Sequence, residues 1–257
     1  MQRTQIDSML PRRAMIKRLV FAIAGLAVAR SKANEDAGCG GRLLERAIER
    51  AGGREALQKG VVLKWAGKAR IFAGDKRIDI GLSTTVAPFT YARSDSWPVE
   101  EGPRATRSLI IDGNKGWLVR NGARSQMPEA MLKHEQAQYA LYGLMRLVTL
   151  CDPGCHLAVD DGNRKVVVTH YAAPTTVLSF DADGRLASAR NEVPAPDGLT
   201  TLGQQIEFAD TILSKGGIRW PRQLKIAQNG KRYFELELTT FDAGAAIPEA
   251  EGPAKSL

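Results

Sequence analysis

From Val61 onward apolar and polar residues alternate with a period of two, in short runs separated by turn-forming clusters. Few folds other than an antiparallel sheet accommodate that pattern. Residues 61–72 place Val61, Leu63, Trp65, Gly67, Ala69 and Ile71 on one face and Val62, Lys64, Ala66, Lys68, Arg70 and Phe72 on the other. Residues 77–82 set Ile78, Ile80 and Leu82 against Arg77, Asp79 and Gly81. Residues 233–241 repeat the scheme with Phe234, Leu236 and Leu238 against Glu235 and Glu237. Such alternation marks strands with one dry and one wet face. Between the runs lie Asp112-Gly113-Asn114-Lys115, Asn121-Gly122, Asp161-Gly162-Asn163, Asp181-Ala182-Asp183-Gly184 and Asn229-Gly230, whose Asn and Gly residues tolerate the positive φ of tight hairpins. Further strands are predicted at 106–111, 116–120, 123–127, 156–160, 165–171, 175–181, 185–193, 204–213 and 218–227. No alternation of strand with helix suggests a parallel sheet. The predicted fold class is mainly β (α+β): one large curved antiparallel sheet, or half-open barrel, with helices inserted at two places.

The first helical insertion precedes the strands. Leu43, Leu44, Ala47, Ile48 and Ala51 form a helical stripe that Gly52-Gly53 ends, and a short second turn follows at 54–59. The second insertion opens at Pro128 and Glu129, residues suited to a helix start. From 139 to 150 it is apolar almost all round, interrupted mainly by Gly143, Arg146 and Thr149. A helix apolar on every face must be buried on more than one side.

The N-terminus reads as an export signal. A basic stretch, Arg12-Arg13-Ala14-Met15-Ile16-Lys17-Arg18, precedes an uncharged apolar run at 19–29, too short to span a bilayer. Small residues follow, and cleavage is expected after Ala33, giving a signal peptide at 1–33. Arg12-Arg13 resembles a twin-arginine motif, with a general secretory signal as the alternative. Residues 1–33 carry seven Lys/Arg and one Asp, a net of +6, so the remaining chain holds only about +2 of the total +8. The basic balance thus belongs to the leader and does not argue for a nucleic-acid partner. The mature chain is expected to be periplasmic and not membrane-spanning. Asp36-Ala37-Gly38 before Cys39 departs from a lipidation box. The tail from 243 to 257 is small, Pro-rich and expected to be disordered.

Little in the chain carries chemistry, and no enzyme or cofactor is predicted. Cys151 and Cys155 flank a Pro-Gly turn, which suits a local disulfide in an oxidising compartment; free thiols and a metal or redox site are the alternatives. His134, His156 and His170 lie in no paired metal-ligand spacing. His134 falls on the polar half of a helix and reads as a surface residue, and His170 as a hydrogen-bonded strand residue. The carboxylate pairs Asp160-Asp161 and Asp181/Asp183 belong to turns. Trp65, Trp97, Trp117 and Trp220 lie in or beside strands, either as core or as the lining of an apolar cavity.

Several segments resemble the periplasmic lipoprotein-carrier (LolA-like) superfamily. These are an exported leader and helix followed by Gly52-Gly53-Arg54-Glu55-Ala56-Leu57, the hairpin Ile111-Asp112-Gly113-Asn114-Lys115-Gly116-Trp117 with a helix after it, and Ile218-Arg219-Trp220-Pro221-Arg222-Gln223-Leu224 before a closing strand. The likeness covers residues 41–242, within a domain placed at 34–242. It implies a half-open barrel whose inner face binds acyl chains beneath lid helices. The candidate lining is Trp65, Ile78, Ile80, Trp97, Ile110 and Trp117 from the strands and Tyr139, Tyr142, Met145 and Arg146 from the lid; Arg146 alternatively reaches out to water. The expected function is a carrier or binding protein for a lipid or lipidated protein, with an envelope membrane protein as a possible partner. The alternative is a sensor or interaction domain whose barrel is filled by its own side chains.

Overall fold

The structure, a computed structural model, describes residues 41–244 and 246. The expected signal peptide, Cys39 and the tail beyond 246 lie outside these residues.

Two helices open the described chain, α1 (Gly41–Arg50) and α2 (Arg54–Lys59). The α1 stripe is buried as its periodicity requires, with Leu43, Leu44, Ala47 and Ile48 all in the core. Each of the leucines and the isoleucine contributes about 1.5–3 kcal/mol by leaving water. The join between the helices needs glycine. Gly52 has φ +121, and a Cβ there would strike the Gly217 carbonyl. The Ala51 carbonyl accepts a hydrogen bond from the Arg219 N–H, tying this corner to the sheet.

The strands on one side of the sheet are β1 (Val62–Ala73), β2 (Lys76–Ala87), β3 (Tyr91–Pro98), β4 (Arg107–Asp112), β5 (Lys115–Arg120) and β6 (Ala123–Gln126). Helix α3 (Glu129–Met145) follows, then a 3-10 turn at Val148–Cys151. The other side holds β7 (Cys155–Asp160), β8 (Lys165–His170), β9 (Ala173–Phe180), β10 (Leu186–Pro194) and β11 (Thr201–Ala209). A small hairpin, β12 (Ile212–Leu213) and β13 (Arg219–Trp220), leads into β14 (Gln223–Gln228) and β15 (Lys231–Gly244).

Thirteen strands form one antiparallel sheet in the order β6-β5-β4-β3-β2-β1-β15-β14-β11-β10-β9-β8-β7. The first strand pairs with the last, from Val62 opposite Gly244 to Ile71 opposite Phe234. The two edges, β6 and β7, are joined in sequence only through α3 and the 3-10 turn. That segment must therefore travel from one edge of the sheet to the other. It does so across the concave face, packing on β9, β10 and β2. Among the described residues no helix is long and apolar enough to cross a membrane.

Several features depart from the sequence reading. The strands expected at 204–213 and 218–227 are each broken in two, the first at Asp210, whose φ is 53, and the second at Pro221. Strand β3 was not anticipated, because Ser94 and Ser96 stand where apolar residues mark an inner face. The closing strand runs three residues past Phe241, to Gly244. The apolar segment 139–150 is not one helix: α3 stops at Met145, and Leu147 takes a left-handed φ of 60. The Thr149 hydroxyl donates to the Gly143 carbonyl at 2.6 Å, satisfying a helix end that has no further turn to pair with.

Candidate functional site

Helix α3 is apolar on more than one side because it is used on more than one side. Leu132, Ala137 and Leu144 are buried on the body of the protein. Glu135, Gln138, Tyr139 and Tyr142, spaced i, i+3, i+4 and i+7, form a stripe that meets a cavity of about 310 Å³. Strands β1 to β5, β14 and β15 supply the opposite wall, including Trp65, Ile80, Leu82, Leu109, Leu118, Leu224, Ile226, Phe234 and Leu236. Register explains why these residues converge. Trp65 opposes Thr84, Thr84 opposes Ser94, and Ser94 opposes Leu109, so one inward row crosses four strands.

The polar residues in this wall have assignments. Ser94 hydrogen-bonds the Tyr139 hydroxyl and lies 2.9 Å from the Thr84 hydroxyl. Trp65 and Tyr142 pack ring against ring at 4.7 Å, and Tyr142 continues to Tyr139 at 6.0 Å. Glu135 is different. Among the described residues no hydrogen bond or ion pair reaches its carboxyl, although Tyr139, Tyr142 and Tyr233 lie close enough to feel its charge. Its pKa is pushed up from 4.5 to about 7 by burial. Burial also raises the three phenols, with the Glu135 charge acting in the same sense.

The helix is held over the cavity by a directional chain of hydrogen bonds. His134 is 2 % exposed, and its Nδ1 donates to the Pro194 carbonyl at 2.6 Å. That leaves Nε2 as an acceptor, 3.3 Å from Gln138 Nε2, while Gln138 Oε1 accepts from Gln204 Nε2 at 3.0 Å. His134 is thus an internal tether from α3 to β10, not the surface residue that its polar neighbours suggested. Replacing it with alanine should cost roughly 1–2 kcal/mol, since it removes two hydrogen bonds and leaves Gln138 and Pro194 short of partners. A urea titration of His134→Ala checks this.

Phe89, at the tip of the β2–β3 turn, closes one end of the concave face. Its ring lies over Gly143 and stacks on His170 at 4.4 Å, with Tyr171 beyond at 4.5 Å. His170 Nδ1 accepts from the Ala172 N–H, as expected of a strand-end histidine, and burial lowers its pKa.

The structure divides the candidate lining residues. Trp65, Ile80, Tyr139 and Tyr142 line the cavity together. Ile78 shares the inward parity of Ile80 but is 45 % exposed and does not line it. Trp97, Ile110 and Trp117 are on the opposite face: Trp97 opposes Gly81, and Ile110 opposes both Arg93 and Trp117. The Trp97 indole covers Gly81 there, and Arg124 lies over the Trp117 ring at 4.0 Å. Met145 is buried and borders a separate space beneath α1. Arg146 neither lines the cavity nor reaches water. It is 9 % exposed, and Nη2 donates to the Leu57 carbonyl at 3.0 Å, joining the end of α3 to α2. Burial lowers its pKa, with Asp152 acting in the opposite sense.

The Cys151–Cys155 bridge is not formed. Cys155 is a free thiol that opens β7, held opposite His170 by strand pairing, while Cys151 ends the 3-10 turn with its sulfur 3.9 Å from Arg54 Nη1. Among the described residues no group of three or more His, Cys, Asp or Glu side chains is placed to hold a metal.

A larger groove, about 710 Å³, lies on the outer side of β2, β1, β15 and β14. Ion pairs cross its strands, with Arg70 3.5 Å from Asp79 and 3.4 Å from Glu235, and Arg232 2.7 Å from Glu235.

Neither the family models nor the curated proteins compared include a match to this chain. Solved structures do resemble it. An outer-membrane lipoprotein-sorting protein domain from Vibrio parahaemolyticus is 11 % identical, with a TM-score of 0.49 over 80 % of this chain and 94 % of that one. A DUF1329 family protein from Desulfovibrio piger is 10 % identical, with a TM-score of 0.49 over 81 % and 94 %. A LolA superfamily protein from Nitrosomonas europaea is 12 % identical, with a TM-score of 0.48 over 80 % of this chain and 93 % of that one.

Proposed function

We propose that this protein is a non-enzymatic, periplasmic carrier or binding protein for an amphiphile, a lipid or the lipid of a lipidated protein, held between α3 and the concave sheet. The observation that carries the reading is the α3 stripe. A helix already buried on one side turns Glu135, Gln138, Tyr139 and Tyr142 toward an apolar-walled space of about 310 Å³ instead of toward water. Ligand sites are typically concave, mostly apolar and furnished with a few fixed polar groups. At ~30 Å³ per water-sized unit, the space holds about ten such units, the bulk of one medium acyl chain. The leader pattern supports an envelope location.

The test is native mass spectrometry of the exported protein, purified without detergent, with organic extraction of what it carries. The expected result is bound lipid, together with displacement of a fluorescent fatty acid by that lipid. Protein that carries no lipid and binds no amphiphile from solution would rule the reading out.

A further inference from the structure

We propose that the cavity selects amphiphiles with a basic amine headgroup, and that Glu135 is the residue that recognises the ammonium. This rests on the amphiphile reading above and adds the headgroup class to it.

The argument is one of charge complementarity inside a half-open cavity. Glu135 is the acid of the cavity-facing stripe, and no cation answers it. Arg107, the cavity's basic side chain, is exposed at its border and does not contribute to the charge balance at Glu135. The groups that do face Glu135 are phenols, Tyr139 and Tyr142 from α3 and Tyr233 from β15. Trp65 backs them through its contact with Tyr142. Phenol oxygens and aromatic faces are electron-rich, and a carboxyl framed by such rings is an environment for an alkylammonium. An anionic headgroup would meet the same groups with the wrong sign. The raised pKa is consistent with an acid lacking its partner. A cationic ligand would displace the proton, so binding should release protons in the pH range where the empty site holds one.

Three probes with one chain length separate the terms: dodecylamine, 1-dodecanol and dodecanoic acid, each below its aggregation concentration and titrated calorimetrically at pH 6. The amine should bind at least roughly tenfold more tightly than the alcohol, the worth of one charge-assisted bond. The acid should bind more weakly than either. Titration in buffers of different ionisation enthalpy should show proton release with the amine alone. Glu135→Gln, shown to be folded by its cooperative thermal unfolding, should lose both the amine preference and the proton release. If the alcohol binds but the amine is not preferred, or if the preference survives in Glu135→Gln, the headgroup inference is overturned while the amphiphile reading stands. If none of the three binds, both are overturned.

Discussion

Raising the pH from 5 to 8 should lower the melting temperature of the ligand-free protein, and Glu135→Gln should remove most of that loss. The carboxyl ionises near 4.5 in an unfolded chain and near 7 in the folded one. Between those values the folded protein holds a proton that the unfolded chain has given up, so rising pH favours unfolding. The stability is fully present below about 4.5 and is lost as the pH passes through about 7. At about 1.4 kcal/mol per pH unit the ceiling is roughly 3 kcal/mol, and water in the cavity brings the expected loss nearer 2 kcal/mol. For a domain of this size that is about 4–8 °C. His170 titrates with the opposite sign, because burial lowers its pKa, and the parallel scan of the variant cancels it. The decisive quantity is the difference between the two proteins, which should widen steadily from pH 5 to pH 8 in favour of Glu135→Gln. A constant difference would mean that the carboxyl is solvated in the folded state. Dodecylamine should return much of the lost stability at pH 8, through binding to the folded state alone.

The fold was legible wherever local pattern and tertiary environment agree. The hairpin turns at Asp112–Lys115 and Asn229–Gly230, the α1 stripe and the alternation of β1 and β15 each state their own geometry. That the second insertion is buried on more than one side was legible in its all-round apolarity. The site was harder to read, for two physical reasons. Parity along a strand says which residues share a face but not which face is inside, and Trp97, Ile110 and Trp117 are large residues on the outward rows. A polar residue facing a cavity also looks, in sequence, like one facing water. Ser94 and Ser96 hid β3 in this way, and Glu135 and Gln138 made the first half of α3 look solvated. Their i, i+3, i+4, i+7 spacing with Tyr139 and Tyr142 was the available signal. Arg146 and His134 misled similarly, since each reaches a backbone carbonyl distant in sequence, at Leu57 and Pro194. The cysteine spacing suggested a bridge between Cys151 and Cys155, but Cys155 is a free thiol.

Gly143→Leu should be strongly destabilising, and the loss should depend on Phe89. Glycine inside a helix costs about 1 kcal/mol relative to alanine, so at an indifferent position any substitution there would help. Gly143 is not indifferent. A Cβ at this position would collide with the Phe89 ring, which is itself stacked on His170. A leucine must push the ring off α3 or push α3 off the sheet. Overpacking of this kind costs about 1–3 kcal/mol, and exposing Phe89 adds to it, for a total of about 3 kcal/mol. The expected drop in melting temperature is roughly 6–12 °C. Amide exchange should rise across α3, because the ring fixes the second half of the helix while the His134–Gln138–Gln204 chain fixes the first. Gly143→Ala should cost far less, since the propensity gain offsets part of a smaller clash. The double variant Gly143→Leu with Phe89→Ala tests the cause. Removing the ring makes room for the leucine, so the pair should cost at least 1 kcal/mol less than the two single losses added together, a coupling of the size seen for residues in contact. Strict additivity would show that the leucine harms the helix by another route and that Phe89 does not seat it.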